Sequence, residues 1–243
     1  MRLFGLIGNP LGHSMSAAYF TEKFRREGID AEYRAFELPD IESLSALPEN
    51  IEGFNVTIPY KRAIIPFLDA VSPEAAAVGA VNCVLCSNGR RTGYNTDVAG
   101  IRRSLDMLVG NDEIAGALVL GTGGASAAVQ YVLAERSIPF ALVSRDPARG
   151  NITYDTLDAG IIAESRLIIN TTPIGMYPDV DAAPPLPYDA IGRGHLLFDL
   201  VYNPRETRFL KSGRAAGACT MDGMTMFIEQ AEASWRIWSG NQC

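Results

Sequence analysis

One lysine occupies a position where an apolar residue would be expected. Lys61 ends the segment GFNVTIPYK (53–61), which begins with the pattern of a buried β-strand. An ammonium group at such a place can donate a proton, or stabilise negative charge that develops on a substrate oxygen. The alternative is a surface lysine whose aliphatic stem lies along apolar surface while its charge reaches water. The segment alone leaves both interpretations open.

A glycine-rich turn joins a short apolar strand to a helix. In VLGTGGASAAV, Gly121 ends the predicted strand 117–121, and Gly123 and Gly124 lie between this strand and a predicted helix. Glycines allow the backbone to approach a pyrophosphate, whose charge then lies against the helix N-terminus. Ser126 stands in place of the third fingerprint glycine and is small enough for close helix–strand packing. This context predicts a dinucleotide site, with a plain strand–helix turn as the alternative.

The residues after the next strand indicate which dinucleotide binds. NAD sites usually carry an acidic residue there, which binds the ribose 2′-hydroxyl. This chain has Ser144 and Arg145, with Arg149 four residues further on. Guanidinium groups suit a 2′-phosphate, so the sequence favours NADP. Asp146 argues the other way, because its carboxylate would either repel the phosphate or form a salt bridge with Arg145.

Composition narrows the class of protein. The 243 residues are 47% hydrophobic and 20% charged, as in an ordinary globular protein of one large or two modest domains. A formal net charge of −7 makes an extended nucleic-acid interface unfavourable. No apolar run approaches the roughly 18 residues that span a bilayer, so no membrane association is expected. The N-terminal MRLFGLIGNP has the pattern of a first strand, not of a signal peptide, and predicts a cytoplasmic protein.

Metal binding is not predicted. The four cysteines are Cys83, Cys86, Cys219 and Cys243. The first two have the spacing of half a zinc site, but residues three apart on a strand point to opposite faces, so free thiols are expected. The histidines are His13, in a Gly- and Ser-rich loop where it could line a site, and His195.

Strands and helices alternate along the chain, which predicts an α/β protein with two α/β domains. The first half has predicted strands at 3–8, 32–38, 53–58 and 81–86, and helices at 16–28, 61–70 and 73–78. The turn SNGR then predicts a hairpin. A helix N-capped by Asp97 opens the second half, where apolar strands at 117–121, 140–145, 166–170 and 195–202 predict a parallel, Rossmann-like sheet. The final helix, about 224–238, is expected to follow no further strand and to return to the first half.

Taken in order, the motifs identify a resemblance to a known family. They are GNPLGHSMS (8–16), GFNVTIPYK (53–61), GAVN (79–82), NTD (95–97), GTGGA (121–125), NTTPIGM (170–176), DLVYNPRET (199–207) and the GM…EQA of the last helix. Over nearly its full length the chain resembles the shikimate dehydrogenases. The departures from the family pattern are Ala17, Ala18, Cys83, Val98 and Asp146, which lie beside the expected contact residues.

The resemblance implies the reversible reduction of 3-dehydroshikimate to shikimate by NADPH, a step toward aromatic amino acids. It implies a substrate-binding and catalytic domain at 1–98, a Rossmann-like NADP-binding domain at 99–222, and a C-terminal helix (223–243) that packs on the first domain. The partner is then a small molecule, and the protein is expected to be a monomer or homodimer. The alternatives are a quinate/shikimate dehydrogenase of broader scope using NAD, and a non-catalytic ligand sensor on the same fold.

The resemblance also assigns residues. Lys61 is implied as the proton-transfer residue, with Asp97 holding its ammonium in place. The other implied substrate ligands are hydroxyl and amide side chains: Ser14, Ser16, Thr57, Asn82, Tyr202 and Gln230. The implied cofactor residues are the glycine loop, the arginine turn and two later positions: Gly121, Thr122, Gly123, Gly124, Ala125, Ser144, Arg145, Arg149, Leu200 and Gly223.

Overall fold

The computed structural model of the protein describes residues 1–12 and 14–240. The chain divides into two compact units. Residues 1–96 and the chain from Ala231 onward form the first unit, and Asp97–Gln230 form the second. Each unit contains one six-stranded sheet with helices packed against it, which confirms the predicted α/β fold. The domain boundaries predicted after residues 98 and 222 stay predictions. In the part of the chain that the structure describes, no helix is long and apolar enough to cross a membrane.

The first unit is built on a mixed sheet. Its strands are β1 (Arg2–Gly8), β2 (Ala31–Glu37), β3 (Ile51–Val56), β4 (Ala70–Val71), β5 (Cys83–Ser87) and β6 (Arg90–Tyr94). They lie in the order β2-β1-β3-β5-β6-β4, with β1 parallel to β2 and β3, and β5 antiparallel to β3 and β6. The carboxyl ends of β1 and β3 therefore meet at one edge of the sheet, where the predicted substrate residues begin.

Helices pack against this sheet, and the first helix of the chain and the C-terminal helix do so through aromatic side chains. They are α1 (Ser16–Glu27), α2 (Pro73–Val78) and the last residues of α7 (Met224–Ser239). Trp238 stacks on Phe4 of β1 with ring centroids 5.0 Å apart, and its indole N–H donates to the carbonyl of Val84 at 3.0 Å. Gly53 makes room for it, since a Cβ there would lie 2.3 Å from the indole nitrogen. The predicted return of the final helix to the first half is therefore confirmed.

The predicted hairpin is also confirmed, but the predicted helix at 61–70 is wrong. Asn88 (φ 51°) and Gly89 (φ 73°) join β5 to β6, and both adopt the left-handed conformation that favours these residue types in two-residue turns. Residues 61–70 instead form turns and one short 3₁₀ segment, Ile65–Phe67. Pro66 explains the difference, because it has no N–H to donate to a helical hydrogen bond and is accepted only in the first turn of a helix.

The second unit has a fully parallel sheet. Its strands are β7 (Ala117–Leu120), β8 (Phe140–Ser144), β9 (Ile152–Thr153), β10 (Leu167–Asn170), β11 (Leu196–Asp199) and β12 (Cys219–Met221). Its helices are α3 (Asp97–Val109), α4 (Gly124–Glu135), α5 (Ala159–Glu164), α6 (Arg208–Ala215) and the first residues of α7. Strands β7, β10 and β11 are buried along their whole length, which explains their uninterrupted apolar sequences.

The strand order of this sheet, β12-β11-β10-β7-β8-β9, is that of a doubly wound dinucleotide-binding fold. The chain leaves β7 in one direction and β10 in the other, so the switch point lies between these two strands. Ligands of such sheets bind outside the carboxyl ends of the strands at that point. The four long strands were predicted, but the short edge strands β9 and β12 were not. The expectation that no further strand precedes the final helix is wrong, since β12 does.

The cysteines diverge as predicted. Cys83 is buried in the cluster of α1 and the C-terminal helix, whereas Cys86 packs against the cluster on the other side of the sheet. Cys219 is exposed. His195 is buried, and its ring nitrogens contact the carbonyls of Gly192 and Ile162. His13 and Cys243 lie outside the described residues. Among residues 1–12 and 14–240, no three His, Cys, Asp or Glu side chains are grouped as metal ligands would be.

Candidate active site

The serine loop lies between β1 and α1 in the first unit. Ser14 is half-buried, and its hydroxyl accepts a hydrogen bond from the backbone N–H of Ser16 at 3.3 Å. Ser16 is buried and is the first residue of α1. The first turn of a helix carries N–H groups that lack intrahelical partners and attract anions. Both hydroxyls therefore lie where donors for a carboxylate are already concentrated.

Thr57 lies beside this loop. It directly follows β3, and its N–H donates to the carbonyl of Ile7 in β1 at 2.9 Å. Gly8, the last residue of β1, permits this approach, because a Cβ there would lie 2.5 Å from the Thr57 methyl group. The structure therefore brings Thr57 to the sheet edge from which the serine loop departs. Gly8 was not among the predicted site residues.

Lys61 is presented by a turn, not by the strand end that the sequence predicted. β3 ends at Val56, and Lys61 lies beyond it in a turn that is anchored by Tyr60. Tyr60 is buried, and its hydroxyl donates to the carbonyl of Leu38 at 2.7 Å. On the other side, the carbonyl of Lys61 accepts a hydrogen bond from Val81 N–H at 2.7 Å. The lysine backbone is thus fixed at two points while its side chain stays half-buried.

Asn82 positions the residue before Asp97. Its side-chain oxygen accepts from Thr96 N–H at 2.6 Å, and its side-chain nitrogen donates to the Thr96 hydroxyl at 3.0 Å. Asp97 is buried and is the first residue of α3, not the N-cap that was predicted. A carboxylate in the first turn is favoured by the helix dipole. Lys61 belongs to the first unit and Asp97 to the second, so their pairing stays a prediction.

Tyr202 and Gln230, two predicted substrate ligands, meet on Phe227 in the second unit. The Tyr202 ring lies 4.8 Å from that of Phe227, centroid to centroid. The side-chain amide of Gln230 donates to the Phe227 carbonyl at 2.9 Å. Phe227 was not predicted as part of the site. Its position three residues before Gln230 on one helix was the available signal.

The glycine loop has the conformation that its sequence implies. Gly121 has φ +105°, and a Cβ there would lie 2.8 Å from the Thr171 hydroxyl. Gly123 faces open space, since a Cβ there would meet nothing within 4 Å, and Gly124 begins α4. Thr122 and Ala125 are half-buried. The loop thus offers accessible backbone and a helix N-terminus at the switch point of the sheet, as a pyrophosphate requires.

Ser126 contributes more than its small size. It is fully buried, and its hydroxyl donates to the Gly121 carbonyl at 2.7 Å and accepts from the Gln130 amide at 3.1 Å. This hydrogen bond ties the first turn of α4 back to the end of β7. A glycine at this position would not supply it.

The arginine turn follows β8. Ser144 is buried, while Arg145 and Arg149 are exposed. Within the described ranges, neither arginine side chain forms a salt bridge or hydrogen bond with the protein. In the described part of the chain Asp146 forms no salt bridge with Arg145, and its carboxylate accepts instead from Ala148 N–H at 3.0 Å. The sequence left two roles open for Asp146, repulsion of the phosphate and a salt bridge with Arg145. The salt bridge is not formed.

Two further residues fix this turn. A Cβ on Gly150 would lie 2.7 Å from Cβ of Ser144, so only glycine allows the chain to pass so close to β8. The side-chain oxygen of Asn151 accepts from Leu142 N–H at 2.9 Å. Neither residue was predicted to belong to the site, and no short motif marks their contacts.

A buried carboxylate joins the loops after β10 and β11. Asp199 accepts hydrogen bonds from the Asn170 amide (3.0 Å), Val201 N–H (3.0 Å) and the Thr207 hydroxyl (2.6 Å). Burial raises the pKa of Asp199 to about 6, while these three hydrogen bonds act in the opposite direction. The carboxylate therefore fixes the geometry of both loops at the carboxyl edge of the sheet.

Leu200 and Gly223, predicted cofactor residues, are adjacent in this region. Leu200 N–H donates to the Asn170 carbonyl at 2.9 Å, which aligns the chain leaving β11 with the end of β10. A Cβ on Gly223 would lie 2.2 Å from the Leu200 carbonyl oxygen. Any other residue at position 223 would displace this backbone.

Comparison with known proteins agrees with this geometry. Residues 6–84 match the model of the shikimate dehydrogenase substrate binding domain. The sequence is also 36% identical to a shikimate dehydrogenase (NADP(+)) of Methanococcus maripaludis strain C6, over 99% of this chain and 92% of the relative. The chain belongs to the shikimate dehydrogenase family. The resemblance predicted from the motifs is confirmed.

Two solved structures resemble this chain over nearly its full length. The shikimate 5-dehydrogenase of Thermus thermophilus, in complex with NADP(H) and shikimate, has a TM-score of 0.87 and 32% identity, covering 99% of this chain and 94% of that one. The quinate dehydrogenase of Corynebacterium glutamicum, in complex with NAD, has a TM-score of 0.88 and 30% identity, covering 98% and 94%.

Proposed function

We propose that the protein catalyses the reversible reduction of 3-dehydroshikimate to shikimate with NADPH. Family membership assigns the class of reaction, an NADP-dependent oxidoreduction of a CH–OH group. The observation that carries the proposal is that similarity to an NADP(+)-dependent shikimate dehydrogenase extends over 99% of this chain and 92% of the relative. Both the substrate-binding unit and the dinucleotide-binding unit are therefore included.

The second unit carries the groups for the cofactor. The glycine loop (Gly121–Ala125) would hold the pyrophosphate, because its backbone is accessible at Gly123 and the N-terminus of α4 follows. Arg145 and Arg149 would bind the 2′-phosphate through charge-assisted hydrogen bonds. The buried Ser144 stands where an NAD site usually has an acidic residue, so no carboxylate at that position repels the phosphate. Leu200 and Gly223 would contact the cofactor further along the same sheet edge. When bound, NADPH supplies a hydride to the ketone carbon.

The substrate is a small carboxylate with several hydroxyl groups. Ser14 and Ser16 would bind its carboxylate as neutral donors near the N-terminus of α1. Ring hydroxyls would be bound by the remaining polar side chains assigned through the family: Thr57, Lys61, Asn82, Asp97, Tyr202 and Gln230. The hydroxyl and amide side chains of this set suit the substrate because each offers directional hydrogen bonds without a competing charge.

The remaining requirement is one proton. When the ketone carbon accepts hydride, the C=O π electrons move to oxygen, and the Lys61 ammonium gives that oxygen a proton. In the oxidative direction the lysine amine takes the proton back. Asp97 would hold the ammonium in place and stabilise its charge. The roles of Lys61 and Asp97 distinguish this proposal from a ligand sensor on the same fold, which needs no proton donor.

A spectrophotometric assay tests the proposed function. Purified protein is given shikimate or quinate with NADP+ or NAD+, and the absorbance of the reduced cofactor is followed. We expect the highest kcat/KM for shikimate with NADP+. Equal rates with quinate and NAD+ would contradict the proposed function and favour a quinate/shikimate dehydrogenase of broader scope. No turnover with any pair of substrate and cofactor would favour a non-catalytic ligand sensor.

A quinate/shikimate dehydrogenase that uses NAD is not favoured. Asp146 directs its carboxylate to Ala148 N–H, which leaves Arg145 and Arg149 for a phosphate. A cytoplasmic location and a monomeric or homodimeric state stay predictions, to be tested by cell fractionation and by light scattering.

A further inference from the structure

A chain of buried polar side chains runs through the first unit. The Tyr33 hydroxyl donates to the side-chain oxygen of Asn55 at 2.8 Å, and the Asn55 amide donates to the Ser234 hydroxyl at 2.9 Å. Ser234 is 3.1 Å from the Thr96 hydroxyl, which in turn bonds Asn82. All five side chains are at most 5% exposed. The network links β2, β3, α7 and the segments on either side of the β5–β6 hairpin.

The Asn55 amide anchors the network at two points. It donates to both the Ser234 hydroxyl and the backbone carbonyl of Asn82, and the Ser234 and Thr96 hydroxyls share a hydrogen bond in which either can be the donor. The Thr96 hydroxyl then donates to the Asn82 side-chain oxygen at 3.2 Å. Because buried polar groups are costly to leave unsatisfied, this arrangement fixes the relative positions of its members more narrowly than apolar packing would.

Three residues of the proposed site are attached to this network. Thr96 directly precedes Asp97. Asn82 follows Val81, whose N–H holds the carbonyl of Lys61 at 2.7 Å. Ser234 lies one helical turn beyond Gln230 on α7. Asn82, Thr96 and Ser234, which neighbour these site residues along the chain, therefore belong to one hydrogen-bonded network of the first unit, and the hydroxyl of Ser234 joins the C-terminal helix to it.

We propose that Ser234 is a positioning residue for the reaction. Its hydroxyl holds Thr96, and Thr96 in turn fixes the backbone at the next residue, Asp97. The position of the Asp97 carboxylate then sets the geometry of proton transfer. The inference rests on the proposed function. Ser234 itself makes no contact with substrate in this assignment, so its loss should lower kcat while cofactor binding is retained.

The test combines four variants. Ser234→Ala removes the linking hydroxyl, and Thr96→Val removes the partner hydroxyl while keeping its shape. Thr96→Ser keeps the hydroxyl and loses only a methyl group. The matched control is Ser104→Ala, because Ser104 is also a fully buried helical serine, but its hydroxyl donates only to the carbonyl one turn earlier, Gly100, at 2.8 Å.

We expect Ser234→Ala and Thr96→Val each to lower kcat for shikimate oxidation about ten- to a hundredfold, as a small misplacement of a reacting group does. KM for NADP+ should stay unchanged, and Thr96→Ser and Ser104→Ala should keep most of the wild-type kcat. Thermal unfolding of each variant is recorded in parallel, and a purely structural role predicts losses that follow the melting temperature alone.

Two outcomes would overturn the proposal. If Thr96→Val and Ser234→Ala retain wild-type kcat, or if Thr96→Ser is impaired as much as Thr96→Val, the hydroxyl network does not position the reacting groups. If Ser234→Ala does not fold, the two Thr96 variants decide. A wild-type protein that does not oxidise shikimate would instead contradict the proposed function, and the positioning role would fall with it.

Discussion

The backbone N–H of Val81 donates to the carbonyl of Lys61 at 2.7 Å. This contact ties the turn after β3 to the segment that carries Asn82, although the two are separated by about twenty residues of chain. The backbone of Lys61 is therefore held by a hydrogen bond that does not involve its side chain. A substitution of Lys61 should remove the ammonium and leave the turn intact.

Lys61→Ala is expected to lower kcat by about 10²–10⁴, because proton transfer and charge stabilisation are lost together. KM for shikimate should change far less. Steady-state kinetics with shikimate and NADP+ measure both constants. Arg62→Ala is the matched control, since it removes an exposed cation from the next position of the same turn. Equal losses in the two variants would contradict a specific role for Lys61.

Asp97 and Lys61 are expected to act as one unit. Asp97→Asn keeps the shape of the side chain at the start of α3 and removes its charge. If the carboxylate works by holding the ammonium, the double variant should be little slower than Lys61→Ala alone, because effects within a catalytic unit are not additive. A double-mutant cycle on kcat measures this. Multiplicative losses would show that the two residues act independently.

Much of the fold could be predicted from sequence, for a physical reason. Strands of a parallel sheet are buried on both faces, so β7, β10 and β11 have continuous apolar sequences, and the glycine turn after β7 marks the dinucleotide loop. The edge strands β9 and β12 contain two and three residues, too few to show a period. The helix predicted at 61–70 failed because Pro66 outweighs the apolar periodicity around it.

The candidate site was predicted less completely, because its support is long-range. Asn55 and Ser234 are separated by 179 positions, and no spacing in the sequence indicates that they bond. The same holds for the contact between Asp199 and Asn170, which are 29 positions apart. Close approaches such as Gly8 to Thr57 depend on strand pairing that only the fold determines. Residue types therefore indicate which side chains could take part in the chemistry, whereas the contacts that fix the positions of these side chains are visible only in the folded structure.

Ser14→Ala and Ser16→Ala should each raise KM for shikimate. Losing a hydrogen bond to a charged group costs roughly 1.5–3 kcal/mol, which corresponds to about ten- to a hundredfold. KM for NADP+ serves as the internal control and should be nearly unchanged. Ser14→Ala also removes the acceptor for Ser16 N–H, so it should have the larger effect. An unaltered KM for shikimate in both variants would exclude these serines from the site.

Arg145→Ala should weaken NADP+ binding about tenfold or more and leave NAD+ binding almost unchanged, because only NADP+ has a 2′-phosphate to lose. Asp146→Thr should increase the preference for NADP+, since it removes a negative charge while a threonine hydroxyl can still accept from Ala148 N–H. Dissociation constants for both cofactors are measured by fluorescence titration. A variant that affects both cofactors alike would contradict the phosphate-binding role.

Asp199 should make folding stability depend on pH. Burial raises its pKa from 3.8 to about 6, so the folded protein holds this proton more tightly than the unfolded chain does. The stability due to this group is therefore greatest below the unfolded-state pKa and falls as pH rises through about 6, by at most roughly 3 kcal/mol. Asp199→Asn should remove this slope, because Thr207 can turn its hydroxyl from donor to acceptor and keep the contact. Urea unfolding of both proteins between about pH 4 and pH 8 gives the difference in free energy of unfolding, with the other titrating groups common to both. A difference that does not vary with pH would show that the Asp199 carboxyl group does not have the raised pKa.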